Sequence, residues 1–221
     1  YLVVRHNSAT STVTAPYVLS LNLIAPGCGN RILEGGEACD DGNMNTGDGC
    51  DACAFEPGWG AETEPNGACA SAVDGTDNQC TAPEIDAGRA SANILTFNAL
   101  GVARVDGAIT PTGDDDWYAL DVVTPGPLVL QTAAPGSATC GGIETTIELF
   151  ASLGAVPLVE DDDDSFDFCS FIGPGPAPEG TTTGFDAAVA NLAVGRYYVR
   201  VHAWSATGTI AAYRLTVTRN P

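Results

Sequence analysis

From Trp117 to Arg219 the chain alternates apolar and polar residues in short runs. WYALDVV, PLVLQTA, TTIELFA, FDAAVANLA, RYYVRVHAW and YRLTVT each read as a strand with one face toward a core. Turn formers separate most of them: TPGP, APGS, AVGR and the longer GPGPAPEG. Ahead of Trp117, ILTFNAL and ARVDGAI add one or two strands, while helical spacing is confined to a weak case at ACASAVDG. Many short strands with regular turns predict an all-β fold, an antiparallel β-sandwich or jelly roll.

The same pattern occurs twice. YLVVRHNSATSTVTAPYVLSLNL, from Tyr1, aligns without gaps on YYVRVHAWSATGTIAAYRLTVTR, from Tyr197. Tyr1 matches Tyr197, Val3 Val199, His6 His202, Ala15 Ala211, Tyr17 Tyr213 and Leu19 Leu215. Both copies predict two strands around a polar turn, so residues 1–24 read as the terminal strand pair of a preceding copy of one sandwich. A cysteine-rich module over 25–60 and a complete sandwich over 61–221 follow. A lone strand pair is marginal in water, so residues 1–24 are expected to pair with strands outside the 61–219 domain, in a head-to-tail array.

Composition narrows the setting. Among 221 residues, 28 are acidic and 8 basic, for a net charge of −20, and every cation is arginine. Such a surface repels nucleic acid and anionic membranes and favours divalent cations. No run of 18 apolar residues predicts a membrane span. Eight cysteines without paired CxxC motifs predict disulfides and an extracellular or cell-surface location, not zinc. Cys69 and Cys80 bracket one excursion and are expected to pair. Cys140 and Cys169 flank an acidic strand pair and should also join, leaving Cys28, Cys39, Cys50 and Cys53 to pair among themselves. Tyr1 begins in mid-strand, as in a mature product or a fragment.

Two resemblances attach to particular words. CGNRILEGGEACDDGNMNTGDGCDAC, Cys28 to Cys53, resembles the myxobacterial cysteine-rich repeat, except that Cys50 and Cys53 stand one residue closer than that family implies. ETEPN, GDDDWYALDV, TTIELFASLG, EDDDD, VGRYYVRVHA and AAYRLTV, in that order over about 61–219, look like the bacterial pre-peptidase C-terminal domain. That resemblance implies a β-sandwich of secreted proteins, generally non-catalytic and often trailing peptidases. The inserts bearing Cys69–Cys80 and GPGPAPEG are not part of its pattern.

The candidate chemistry is cation binding. Asp41, Asn43 and Asn45 stand at alternate positions, followed by Gly47, Asp48 and Gly49, in one polar loop of the kind in which oxygen ligands converge on calcium. The other reading of this loop is an Asx-rich turn held by side chain-to-backbone bonds and disulfides. It is no EF-hand, because Ala52 stands where a bidentate glutamate belongs. The acidic runs Asp114–Asp116 and Glu160–Asp164 add Asp114, Asp116, Asp161 and Asp162 as further calcium candidates, against solvated loop tips. GxSxG, HExxH and phosphate-cradling glycine loops are missing. His202 alternates onto the outer face of its strand, where it reads as structural. The chain therefore reads as a non-enzymatic repeat unit of a bacterial surface filament, whose partners are copies of itself or adjacent repeats. The alternatives are an adhesive module, with Trp59, Tyr198 and Trp204 as platforms for polysaccharide or extracellular protein, and the C-terminal module of a secreted hydrolase.

Overall fold

The computed structural model describes residues 27–29, 37, 44, 50–56, 58–67, 80–135, 140–162, 169–175, 186–205 and 208–219. The strand pair 1–24, the loop ligands Asp41, Asn43, Asn45 and Asp48, and the cysteines Cys39 and Cys69 lie outside them.

The elements in order are β1 (Cys50–Asp51), β2 (Ala54–Phe55), β3 (Trp59–Ala61), α1 (Ala82–Ser91), β4 (Asn93–Ile94), β5 (Val102–Ile109) and β6 (Asp115–Val122). Then come β7 (Leu128–Ala133), β8 (Thr145–Ala151), β9 (Val159–Asp161), β10 (Phe171–Ile172), a 3-10 turn (Ala187–Val189), β11 (Gly195–Ala203) and β12 (Ile210–Arg219). They form a small β1–β2 hairpin and two five-stranded sheets, ordered β10-β7-β12-β5-β3 and β4-β6-β11-β8-β9. Both sheets are antiparallel at their centres. Each ends in a short parallel edge strand, β3 beside β5 and β4 beside β6.

Strand alternation builds the core between the sheets. Ala103, Val105, Leu130, Tyr213, Leu215 and Val217 from the first sheet meet Tyr118, Leu120, Ile147, Leu149, Val199 and Val201 from the second. The outer face of the first sheet is partly open. That of the second is covered at its centre, where Trp117, Phe150 and Ile85 of α1 form their own cluster with Tyr198 packed against it. Strands β6 and β8 are consequently buried on both faces.

Helix α1 escapes the apolar pattern because Ile85 is its one large buried side chain. Its start is nonetheless encoded: the Glu84 carboxylate accepts the Thr81 backbone N–H at 2.7 Å, the T-x-x-E capping box. Gly88 lets it approach the sheet, since a Cβ there would stand 2.4 Å from Trp117. The predicted strand in FDAAVANLA is instead the 3-10 turn, with only Val189 and Leu192 buried nearby. Of ILTFNAL, only Ile94 belongs to a strand.

Disulfides join Cys28 to Cys53 and Cys140 to Cys169, each with Cα atoms 5.3 Å apart. Cys50 and Cys80 are oxidised as well. No helix among the described residues is long and apolar enough to cross a membrane.

Strand directions give the sandwich two unlike ends. The β5–β6 and β11–β12 connections lie at one end, the β6–β7 and β8–β9 connections at the other.

Candidate metal centre

Beyond Ala61 the chain leaves β3 as Glu62-Thr63-Glu64-Pro65-Asn66, placing oxygen-bearing side chains at alternate positions. This stretch passes the start of β6, and Glu62, Glu64 and Asp116 each offer a carboxylate oxygen within 4.8 Å of the others. Two glycines make room. A Cβ on Gly107 would stand 2.6 Å from Glu62 Oε2 and 2.7 Å from the Tyr213 ring, and one on Gly67 2.3 Å from Trp117.

The carboxylates are held from behind. Ala108 N–H donates to Glu62 Oε1, and Tyr118 OH donates to Glu62 Oε2 at 2.9 Å. The Tyr118 and Tyr213 hydroxyls lie 2.6 Å apart, and Tyr213 OH donates to Asp116 Oδ2. Asn66 N–H donates to Glu64 Oε2 at 3.2 Å, and Asn66 Nδ2 to Glu62 Oε2 at 3.4 Å. Two oxygens remain: Asp116 Oδ1 and Asn66 Oδ1 are buried without a hydrogen-bond partner among the described residues. Asn66 Oδ1 is an acceptor and lacks a donor or a positive centre; Asp116 Oδ1 lacks an acceptor when protonated and a positive centre when ionised.

The electrostatics say the same. Burial, then the nearby Glu62 charge, pushes the Asp116 carboxyl up to about 10. Burial likewise raises the Tyr118 and Tyr213 phenols well above their ordinary range, so both stay protonated as donors. Glu62, Glu64 and Asp116 offer hard oxygens of the kind calcium takes, with water or backbone oxygens needed to complete six to eight ligands. The residues fit such an ion.

Of the residues singled out from sequence, Asp116 belongs to this group. Asp114 borders it: its carboxylate accepts the Thr110 N–H at 2.9 Å, and burial followed by the nearby Glu64 charge raises its pKa. Asp161 does not converge here. It accepts the Phe171 N–H at 2.6 Å and lies on β9, three strand spacings from β6, or roughly 14 Å. Asp162 follows it on that far side. Glu62, Glu64 and Asn66 lie outside the acidic runs, and their one signal in the sequence is the alternation in ETEPN.

Asp115 points to the opposite face of β6. There Arg200 donates through Nε and Nη2 to Asp115, at 3.1 and 3.2 Å, and through Nη1 to Glu148 at 2.6 Å. His202 sits 3.9 Å from Glu148 on the same face. The outer-face assignment of His202 holds, but the face is sealed. His202 is 4% exposed, and burial, then the Arg200 charge, lowers its pKa to about 3. A neutral, enclosed imidazole without solvent access cannot serve as a general base toward an external substrate. Trp59 also differs from a free platform, because the Arg104 and Arg214 guanidiniums lie 4.3 and 4.5 Å from its ring. Trp204 is exposed.

No family model matches the chain, and no curated protein sequence matches it significantly. Among solved structures, it is similar to the pre-peptidase C-terminal domain of a Bacillus anthracis collagenase, at 16% identity and a TM-score of 0.40, over 57% of this chain and 94% of that one. It is also similar to an Aeromonas hydrophila periplasmic inhibitor of g-type lysozyme, at 15% identity and a TM-score of 0.32, over 57% and 94%.

Proposed function

We propose that the chain is a calcium-stiffened, non-catalytic structural repeat unit of an exported bacterial filament. The observation that carries the metal part is the convergence of Glu62, Glu64 and Asp116, of which Asp116 Oδ1 is buried without a hydrogen-bond partner among the described residues. A cation there would tie the segment 62–66, which leaves β3, to the start of β6. The disulfides support an oxidising compartment. The match between residues 1–23 and 197–219 supports the repeat. Calcium in the 41–48 loop remains part of this proposal. The alternative is an adhesive C-terminal module of a secreted hydrolase, for which exposed Trp204 is the supporting feature.

The test is calorimetric titration of the full chain with calcium. Glu64→Gln and Asp116→Asn should each remove one site, and Asp41→Ala a second. An unchanged isotherm in all three variants would remove the metal from the proposal.

A further inference from the structure

Six of the nine exposed large apolar side chains among the described residues gather at one end of the sandwich: Leu100, Val123, Leu153, Val156, Leu158 and Val194. The first precedes β5, the second follows β6, the next three tip the β8–β9 connection, and Val194 precedes β11. Leu153, Leu100 and Val156 are 85%, 83% and 79% exposed, the three highest values. Leu100 and Val123 line one cavity of about 300 Å³ together with Asn98 and Arg219. Isolated exposed apolar residues need no explanation, but a cluster on one pole of a chain charged −20 marks an interaction surface.

We infer that this apolar end docks against the same end of a neighbouring copy of the domain. The inference rests on the repeat-unit part of the proposed function, is independent of the metal site, and replaces the head-to-tail order expected from the sequence by a same-end pairing of two copies.

The chain's course supplies the partner. The entry strand β3 begins at this end, where a Cβ on Gly58 would press on Val102 O and on Asn98. The final strand β12 also ends here, with Arg219 paired to Leu128 and Arg219 N–H bonded to Gly101 O. In the internal repeat Leu23 aligns with Arg219, so the preceding copy's last strand ends at that copy's equivalent pole.

From Leu23 to Gly58 the path shortens through the Cys28–Cys53 disulfide. It comprises five residue steps, a 5.3 Å Cα–Cα crossing and five more steps, about 40 Å when fully extended. Two apolar poles are thereby held within one domain's reach, at a local concentration in the millimolar range.

Charge agrees with this orientation. Arg196 pairs with Asp121 at this end, Arg219 lies over Phe97 there, and Arg89 donates to Gly154 O in the β8–β9 connection. The carboxylates of the metal cluster stand toward the other end. Copies meeting at their apolar poles keep these carboxylates apart.

Sedimentation velocity of the 221-residue chain tests this from micromolar to millimolar concentration, in calcium and in chelator. The expected result is a dimer that strengthens as sodium chloride rises, because salt screens repulsion and leaves apolar contact intact. Leu153→Ser/Val156→Ser should weaken association at least tenfold, while Ile94→Ser, an exposed apolar site away from this pole, should not. Circular dichroism establishes that each variant is folded. A chain monomeric throughout, or a dimer indifferent to the tip variant, overturns the inference. So does binding of the tips to phosphatidylcholine vesicles without dimerisation. A dimer lost in Leu19→Ser/Leu21→Ser but kept in the tip variant would leave the repeat reading standing and overturn the end-to-end contact.

Discussion

Replacing Asp116 by asparagine separates a metal ligand from an ordinary buried acid. In the folded protein burial and Glu62 raise this carboxyl to about 10, whereas in the unfolded chain it titrates near 3.9. The folded state therefore holds a proton at pH 7 that the unfolded state releases. That difference disfavours folding by on the order of 4 kcal/mol at pH 7 in the absence of a cation. Asparagine keeps the shape and removes the charge, but still buries one amide group where Oδ1 was unpartnered, at a cost of about 1–3 kcal/mol. The variant should thus be about 1–3 kcal/mol more stable than the parent in chelator. Calcium at 100 times its dissociation constant should stabilise the parent by about 2.7 kcal/mol, or roughly 5–10 °C for a chain of this size, and the variant much less. Thermal melts at pH 7 in EGTA, calcium and magnesium measure both effects. An Asp116→Asn protein less stable than the parent in chelator, with its calcium shift intact, would refute the reasoning.

The same carboxyl predicts the pH response. Its folded pKa is raised, so without calcium stability should fall as pH climbs from about 4 to about 10. Calcium must displace that proton, so binding at pH 7 should release close to one proton and tighten about tenfold per pH unit between 6 and 8, as calorimetry in buffers of different ionisation enthalpy would show. Arg200→Met should cost about 3–5 kcal/mol in urea melts, because it strands Asp115 and Glu148, both buried. Cys140→Ser/Cys169→Ser opens a loop of 29 residues and should lower stability by about 3–4 kcal/mol on the chain-entropy model, measurable by thermal denaturation. Gly107→Ala should weaken calcium binding, since its methyl group meets the Glu62 carboxylate and the Tyr213 hydroxyl, and titration would detect the loss.

Period-two alternation made the central strands legible because each buries one face. Tyr197, Val199 and Val201 against Arg200 and His202 is an example. The same rule reads β11 as half-exposed, and it fails there because α1 covers the other face at the sheet's centre. That helix carries too little apolar spacing to announce itself; its evidence is one capping pair and a glycine that only matters once Trp117 lies against it. Asp114, Asp115 and Asp116 look alike in a row of acids. The pleat sends Asp115 to Arg200 and Asp116 toward Glu62, so one ends in an ion pair and the next in the candidate metal centre.

Local chemistry therefore determined the all-β class, the central strands and the oxidising setting, since each depends on periodicity or residue type within a short window. Tertiary structure decided the rest. The carboxylate cluster joins Glu62 to Asp116 across 54 positions, and the apolar pole collects four separate connections. Neither juxtaposition has a signature along the chain, because both are produced by the order in which strands cross between the sheets, which side-chain spacing within a strand does not record.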